Sequence, residues 1–163
     1  MKQFFMLVIL LEFPMAIKVK IPKPFAIGRF EVTFEEWDKC VSEGGCNGDS
    51  PEDEGWGRKK PPVTNINWQD AWNFTAWLSV KTGSFYRLPS EAEWEYVARL
   101  AGKKTPSIFV WGNDYEVSDT AGNLADESAK GTVKVFLGKY NDGFADVAPS
   151  GSFEAETSGL HDQ

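Results

Sequence analysis

Carboxylates are the first side chains here with chemistry to offer. The run "RLPSEAEWEYVARLAG" places Glu91, Glu93 and Glu95 at alternate positions after Ser90. Paired carboxylates do general acid–base work when they converge on a cleft with their pKa values pushed apart. Beyond them the supply is short: one histidine, His161, and two cysteines, Cys40 and Cys46. A single histidine rules out a two-histidine metal cluster and supports no evident nucleophilic triad. Neither "AIGRFEV" nor "SGSF" has the glycine spacing of a phosphate loop between a strand and a helix.

The elements that would carry these glutamates account for them without catalysis. Three helix starts share one device, a cap residue followed three positions later by an acid that bonds back to it: Thr33 in "TFEE", Asn67 in "NWQD" and Ser90 in "SEAE". The first helix turns Trp37, Cys40 and Val41 to one face; the second turns Ala71, Phe74 and Leu78 and stops at "KTG". The third turns Trp94, Val97, Ala98 and Ala101 to one face, with Arg99 in its last turn and Gly102 as its left-handed cap. Glu91 and Glu93 then complement the dipole and close the capping box, and Glu95 pairs with Arg99. Short strands are expected at 25–33, 85–88, 109–112 and 148–153. Long irregular loops separate them, and loops are where function concentrates.

A chain of 163 residues builds one sizeable core. Its 15 glycines, nine prolines and seven tryptophans predict a loop-rich fold pinned by large aromatic anchors. The net charge of −7 excludes a phosphate-tracking surface, so no nucleic-acid partner is expected. The basic run Arg58, Lys59 and Lys60 reads as a solvated loop. Residues 1–23 form an N-terminal segment whose apolar run, Phe4 to Leu11, is too short to span a bilayer. It fits either a secretory signal without its small-residue cleavage site or a misplaced start. Cytoplasmic placement is the expectation, with export to the periplasm or medium as the alternative.

Taken in order, "FAIGRFEVTFEEW", "PPVTNINWQDAWNFTAWLSVKTG", "YRLPSEAEWEYVARLAG", "VWGND", "GNLAD", "YNDGFADVAPSGSF" and "GLHD" resemble the sulfatase-modifying factor family, whose best-known members are the formylglycine-generating enzymes. The likeness runs from about Pro24 to the last residue and makes 24–163 the N-terminal portion of such a domain. It implies an α+β class: an irregular, loop-rich variant of the C-type lectin fold, incomplete at the C-terminus. It also implies a copper-dependent oxidase that uses molecular oxygen to turn a client protein's cysteine into formylglycine. The copper-holding cysteines of the family lie beyond the "GLYDM"-type motif, and here "GLHDQ" ends the chain, so both ligands lack a counterpart. His161 stands where relatives carry an aromatic residue, which suggests packing rather than proton transfer.

What the resemblance leaves is a calcium site. It implies that the ion is held by Asn123 and the carbonyl of Leu124 in "GNLAD", with Asp142 and the carbonyl of Phe144 in "NDGF". Asp126 and Asp146 stand close in sequence and would add charge. Read on the residues alone, both segments are simply tight turns. The resemblance also points to a disulfide between Cys40 and Cys46 in "CVSEGGC"; in a reducing compartment they would be a buried thiol and a loop thiol.

Two functions follow. One is an oxidase of the formylglycine-generating type, inactive as this chain for want of the copper-binding cysteines. The other is a non-catalytic, calcium-stabilised binding module that meets a client protein or a partner subunit, with the acidic loop "NGDSPEDEG" as its contact. Neither reading includes a transmembrane span.

Overall fold

Thr33, Asn67 and Ser90 start the three α-helices, as the cap pattern predicts. The computed structural model describes residues 19–99, 103, 105–109, 111–118, 121–156 and 158–161. Within them α1 spans Phe34–Ser42, α2 Trp68–Thr82 and α3 Glu91–Arg99. Thr33 Oγ1 accepts from the Glu36 N–H at 3.3 Å while the Glu36 carboxylate accepts from the Thr33 N–H at 2.9 Å. The Asn67 side chain likewise accepts from the N–H groups of Gln69 and Asp70, at 2.8 and 3.1 Å. Helix α2 ends on Gly83, whose φ of 70° is the left-handed cap geometry. The cap expected at Gly102, the apolar position Ala101 and the segment 1–18 lie outside the described residues.

The core gathers where α1, α2 and the 3-10 turn Cys46–Gly48 meet. Trp37 stacks on Phe74 with ring centroids 5.7 Å apart, and a disulfide joins Cys40 to Cys46 across a Cα separation of 5.8 Å. Val32, Val41, Val63, Ile66, Trp77 and Leu78 close around them. Gly45 is there because nothing larger fits: a Cβ at this position would stand 2.7 Å from both Cys40 Sγ and the Trp77 ring. Cys46 and Asn47 both take left-handed backbone, with φ of 50° and 51°, which non-glycine residues adopt rarely. Cys46 is tied to Cys40, and just beyond the turn Trp37 Nε1–H donates to the Asp49 carbonyl at 2.8 Å.

The extended segments depart from expectation. No ladder forms among the described residues; there are only isolated bridges, Thr33 with Pro62, Phe109 with Gly112, Asp126 with Leu137 and Lys130 with Val133. Apolar alternation specifies extended backbone but not a partner. Single bonds do the holding instead, such as Val63 N–H to the Val32 carbonyl at 2.8 Å and Tyr86 N–H to Ser79 Oγ at 2.8 Å. The outcome is a loop-rich molecule with three helices and sparse β-bridging, consistent with the α+β class.

Two further placements differ from the sequence reading. Periodicity sends Trp94 inward, yet it is 52% exposed, and the buried residue of α3 is Glu93. A carboxylate can sit inside because its oxygens are satisfied there. Arg58 is no solvated loop cation: it grips Asp38 with Nε at 2.8 Å and Nη2 at 2.5 Å, donates to the Pro51 carbonyl at 2.7 Å, and lies 4.8 Å from the Phe34 ring centroid. Its hydrogen bonds also hold the Asp38 carboxyl below the ordinary carboxylate range. The acidic loop is thereby fastened to α1, and Asn65 Nδ2 fastens its far side to Glu54 at 3.1 Å.

Candidate functional site

The glutamates of α3 do not form an acid–base pair. Arg87 forks onto Glu93 at 2.7 and 2.6 Å, and the Ser90 N–H adds a bond at 2.8 Å. Those Arg87 bonds, then the Ser90 N–H, lower the Glu93 pKa to about 2. A general acid needs the opposite shift. Glu95 pairs with Arg99 at 2.7 Å, and Glu91 is exposed. His161 is a clasp: its N–H donates to the Arg29 carbonyl at 3.1 Å, Nδ1 lies 2.8 Å from the Phe153 carbonyl, and its ring stacks on Phe30.

Hydrogen bonds converge instead between two loops, one around Asn123 and one around Asp142. Tyr140 anchors the pair from beneath: its buried hydroxyl donates to the Gly122 carbonyl at 2.8 Å and accepts from the Gly122 N–H at 3.2 Å. Gly122 itself sits at φ 131°, backbone that only glycine adopts without strain. Asp142 Oδ2 accepts from Asn123 Nδ2 and the Leu124 N–H, each at 2.9 Å, and its Oδ1 accepts from the Phe144 N–H at 2.8 Å. Asn123 Oδ1 accepts from the Ala148 N–H at 3.2 Å. All four expected residues therefore meet, but Asn123 Nδ2 and the Leu124 and Phe144 N–H groups face Asp142, whereas the resemblance implies oxygen ligands from each.

Asp126 lies beneath them, fully buried. Its Oδ1 accepts from the N–H of Ser128 at 2.8 Å, and its Oδ2 accepts from the Asp142 N–H. Burial alone would raise its pKa; hydrogen bonds from the Ser128 hydroxyl, the Asp142 N–H and the Ser128 N–H outweigh that and hold it below the ordinary value. Asp146 stands exposed on the surface.

Ser128 sits at the centre of this nexus. Its hydroxyl oxygen lies 2.6 Å from Asp126 Oδ1, 2.7 Å from the Phe144 carbonyl and 3.4 Å from Asp142 Oδ1. One hydroxyl has one hydrogen to give, but Asp126 Oδ1 and Asp142 Oδ1 also accept the Ser128 and Phe144 N–H groups, so both carboxylates are supplied with donors. Among the described residues no group of three or more His, Cys, Asp or Glu side chains is placed to hold a metal ion. Ser128 and Tyr140 escape the sequence reading; the only signal is the Asp-x-Ser spacing in "ADES", a local turn pattern.

Family comparison agrees with this frame. The sulfatase-modifying factor enzyme 1-like domain matches residues 11–163. The chain belongs to the sulfatase-modifying factor family. Among its relatives, the inactive Cα-formylglycine-generating enzyme 2 of Bos taurus is 34% identical over 103 residues, 62% of this chain and 29% of that protein. The formylglycine-generating enzyme of Mus musculus is 29% identical over 110 residues, covering 64% of this chain and 25% of its own length. That of Streptomyces coelicolor is 40% identical over 60 residues, 36% of this chain and 16% of that protein. The chain thus corresponds to less than a third of each of these relatives. No solved structure matches. Among the described residues of this sulfatase-modifying factor chain, no helix is long and apolar enough to cross a membrane.

Proposed function

We propose that this stretch is the framework of a formylglycine-generating-type domain with the C-type-lectin-like arrangement of its family, braced by a calcium ion between the Asn123 and Asp142 loops. The meeting of Asn123, Leu124 and Phe144 on the Asp142 carboxylate carries this reading. Asn123, the Leu124 and Phe144 carbonyls and Asp142 would hold the ion through oxygen atoms, the donors calcium takes. Thermal unfolding tests it. Calcium at 100 times its dissociation constant adds about 2.7 kcal/mol of stability. EGTA removes the gain, and Asp142→Asn abolishes the response. Equal melting temperatures in calcium and EGTA would sink the proposal.

The stretch itself contributes no redox thiol. Its two cysteines are joined to each other, and a soft metal such as Cu(I) requires thiolate or thioether ligands. The 163-residue chain, offered a Cys-x-Pro-x-Arg peptide with copper and oxygen, is expected to form no aldehyde. Aldehyde formation would overturn this reading.

A second reading, a calcium-stabilised binding module without catalysis, is favoured by one observation. A relative named an inactive formylglycine-generating enzyme is as similar here as one named a formylglycine-generating enzyme, at 34% and 29% identity. The intact mass of the protein made from its own gene separates the two: 18.2 kDa supports the module, and a larger mass supports the oxidase.

A further inference from the structure

The disulfide is reachable from one side. A groove of about 400 Å³ is lined by Gly44, Cys46 and Asn47 of the turn after α1 and by Ala76, Trp77 and Val80 of α2. Cys46 borders it and is 3% exposed, whereas Cys40, within α1, is wholly buried. Around Cys40 there is no slack: the place a Gly45 Cβ would take lies 2.7 Å from Cys40 Sγ and 2.7 Å from the Trp77 ring.

The turn itself is held in backbone that its residues adopt rarely. Cys46 and Asn47 are consecutive non-glycine residues at φ 50° and 51°, a conformation that persists where the surroundings enforce it. Two of its hydrogen bonds, from the Gly48 N–H to the Gly45 carbonyl at 3.1 Å and from the Asp49 N–H to the Cys46 carbonyl at 2.9 Å, are internal and move with it. Its covalent tie to α1 is the disulfide. Two separate thiols need more room than one bonded pair, and the packing is closed around Cys40, so on reduction the turn is the part that gives. The ends stay fastened: Trp37 Nε1–H holds the Asp49 carbonyl, and Lys81, lying over the Trp77 ring, pairs with Glu43 at the end of α1.

We propose that the Cys40–Cys46 disulfide is a redox-sensitive latch on this groove, opened by a dithiol that reaches Cys46 through it. One thiolate of the dithiol attacks Cys46 Sγ, and Cys40 leaves as a thiolate and takes up a proton. The second thiol then displaces Cys46 from the mixed disulfide, and Cys46 takes up a proton in turn. The dithiol ends as a cyclic disulfide: two electrons pass to the protein, and the two protons its thiols lose are matched by the two the cysteines gain. The closed latch keeps the left-handed wall of the groove, and the open one lets residues 44–49 leave that conformation. Reducing and oxidising surroundings then select different shapes of the junction between α1 and α2.

Dithiothreitol added to the native protein tests the proposal, read by alkylation mass spectrometry and amide hydrogen exchange. The expected result is a reduction rate that rises with dithiothreitol concentration and is unchanged by sub-denaturing urea, giving two alkylated cysteines with the helical circular dichroism retained. In the reduced protein the hydrogen-bonded amides of Gly45, Gly48 and Asp49 should exchange at least tenfold faster, and those of α3 should not change. Val80→Trp, which narrows the groove at a position 87% exposed, should slow reduction several-fold. The double variant Cys40→Ser, Cys46→Ser should show the faster exchange with no reductant present. A reduction rate that climbs with urea in step with unfolding overturns the proposal, because the disulfide then opens only in the unfolded chain. A rate indifferent to Val80→Trp overturns it too, as does a reduced protein that loses its helices or exchanges these three amides as slowly as the oxidised one.

Discussion

Glu93 does the work of three residues: it closes the capping box of α3, receives the Arg87 fork and fills a buried position. Its folded pKa of about 2 lies below the ordinary 4.5. The unfolded chain therefore binds a proton more readily, and stability from this carboxylate is fully present above about pH 4.5 and lost as pH falls towards 2. Acid titration of Glu93→Gln should show this part of the pH dependence flattened, and wild type should retain it. Ser90→Ala, which removes the cap hydroxyl, should cost about 1 kcal/mol in urea unfolding. The pattern Ser-x-x-Glu made the cap legible, but not the burial. Arg87 is what allows a charge to go inside, and nothing in a capping box announces a cation three residues upstream of it.

Among the elements, the best-defined unit is α1, the Cys46–Gly48 turn and α2. The disulfide closes a short loop, and its loss should cost about 2 kcal/mol by the chain-entropy argument. Reduction should also add two protons to the intact mass. Gly45→Ala, with no room for a Cβ, should destabilise by about 1–3 kcal/mol while leaving the disulfide formed, as measured by denaturation and by thiol titration. Helices were the legible elements because their signals are local: Thr33 and Asn67 cap residues three positions away. Extended segments such as 25–33 were not, because a strand needs a partner, and Val32 finds a single bond to Val63 in place of a ladder. The same limit hid the exposure of Trp94, since helical spacing marks a face without saying what covers it.

At the scale of the molecule, the candidate site joins loops 16 to 19 positions apart, from Ser128–Phe144 to Asn123–Asp142. Each loop reads as an ordinary turn by itself; only the family resemblance paired them. The burial of Asp126 was not legible at all, because it depends on three donors brought by Ser128 and Asp142. Asp126→Ala should therefore do more damage than Asp142→Asn. It strands the Asp142 N–H and the Ser128 N–H in a buried place, at about 1–3 kcal/mol for each group left unpaired. Comparing the two variants by thermal unfolding in EGTA isolates this cost from any effect of calcium.

The contact of His161 with Arg29 spans 132 positions, whereas Asp38 and Arg58 are 20 apart. Closing the longer loop costs about 1.7 kcal/mol more chain entropy than closing the shorter one. Folding should thus begin in the α1–α2 region, and the two ends of the described chain should meet late. His161→Ala would then leave the refolding rate nearly unchanged and accelerate unfolding several-fold, a split that stopped-flow chevrons resolve. The clasp that joins the ends sets how long the native state lasts rather than how quickly it is reached.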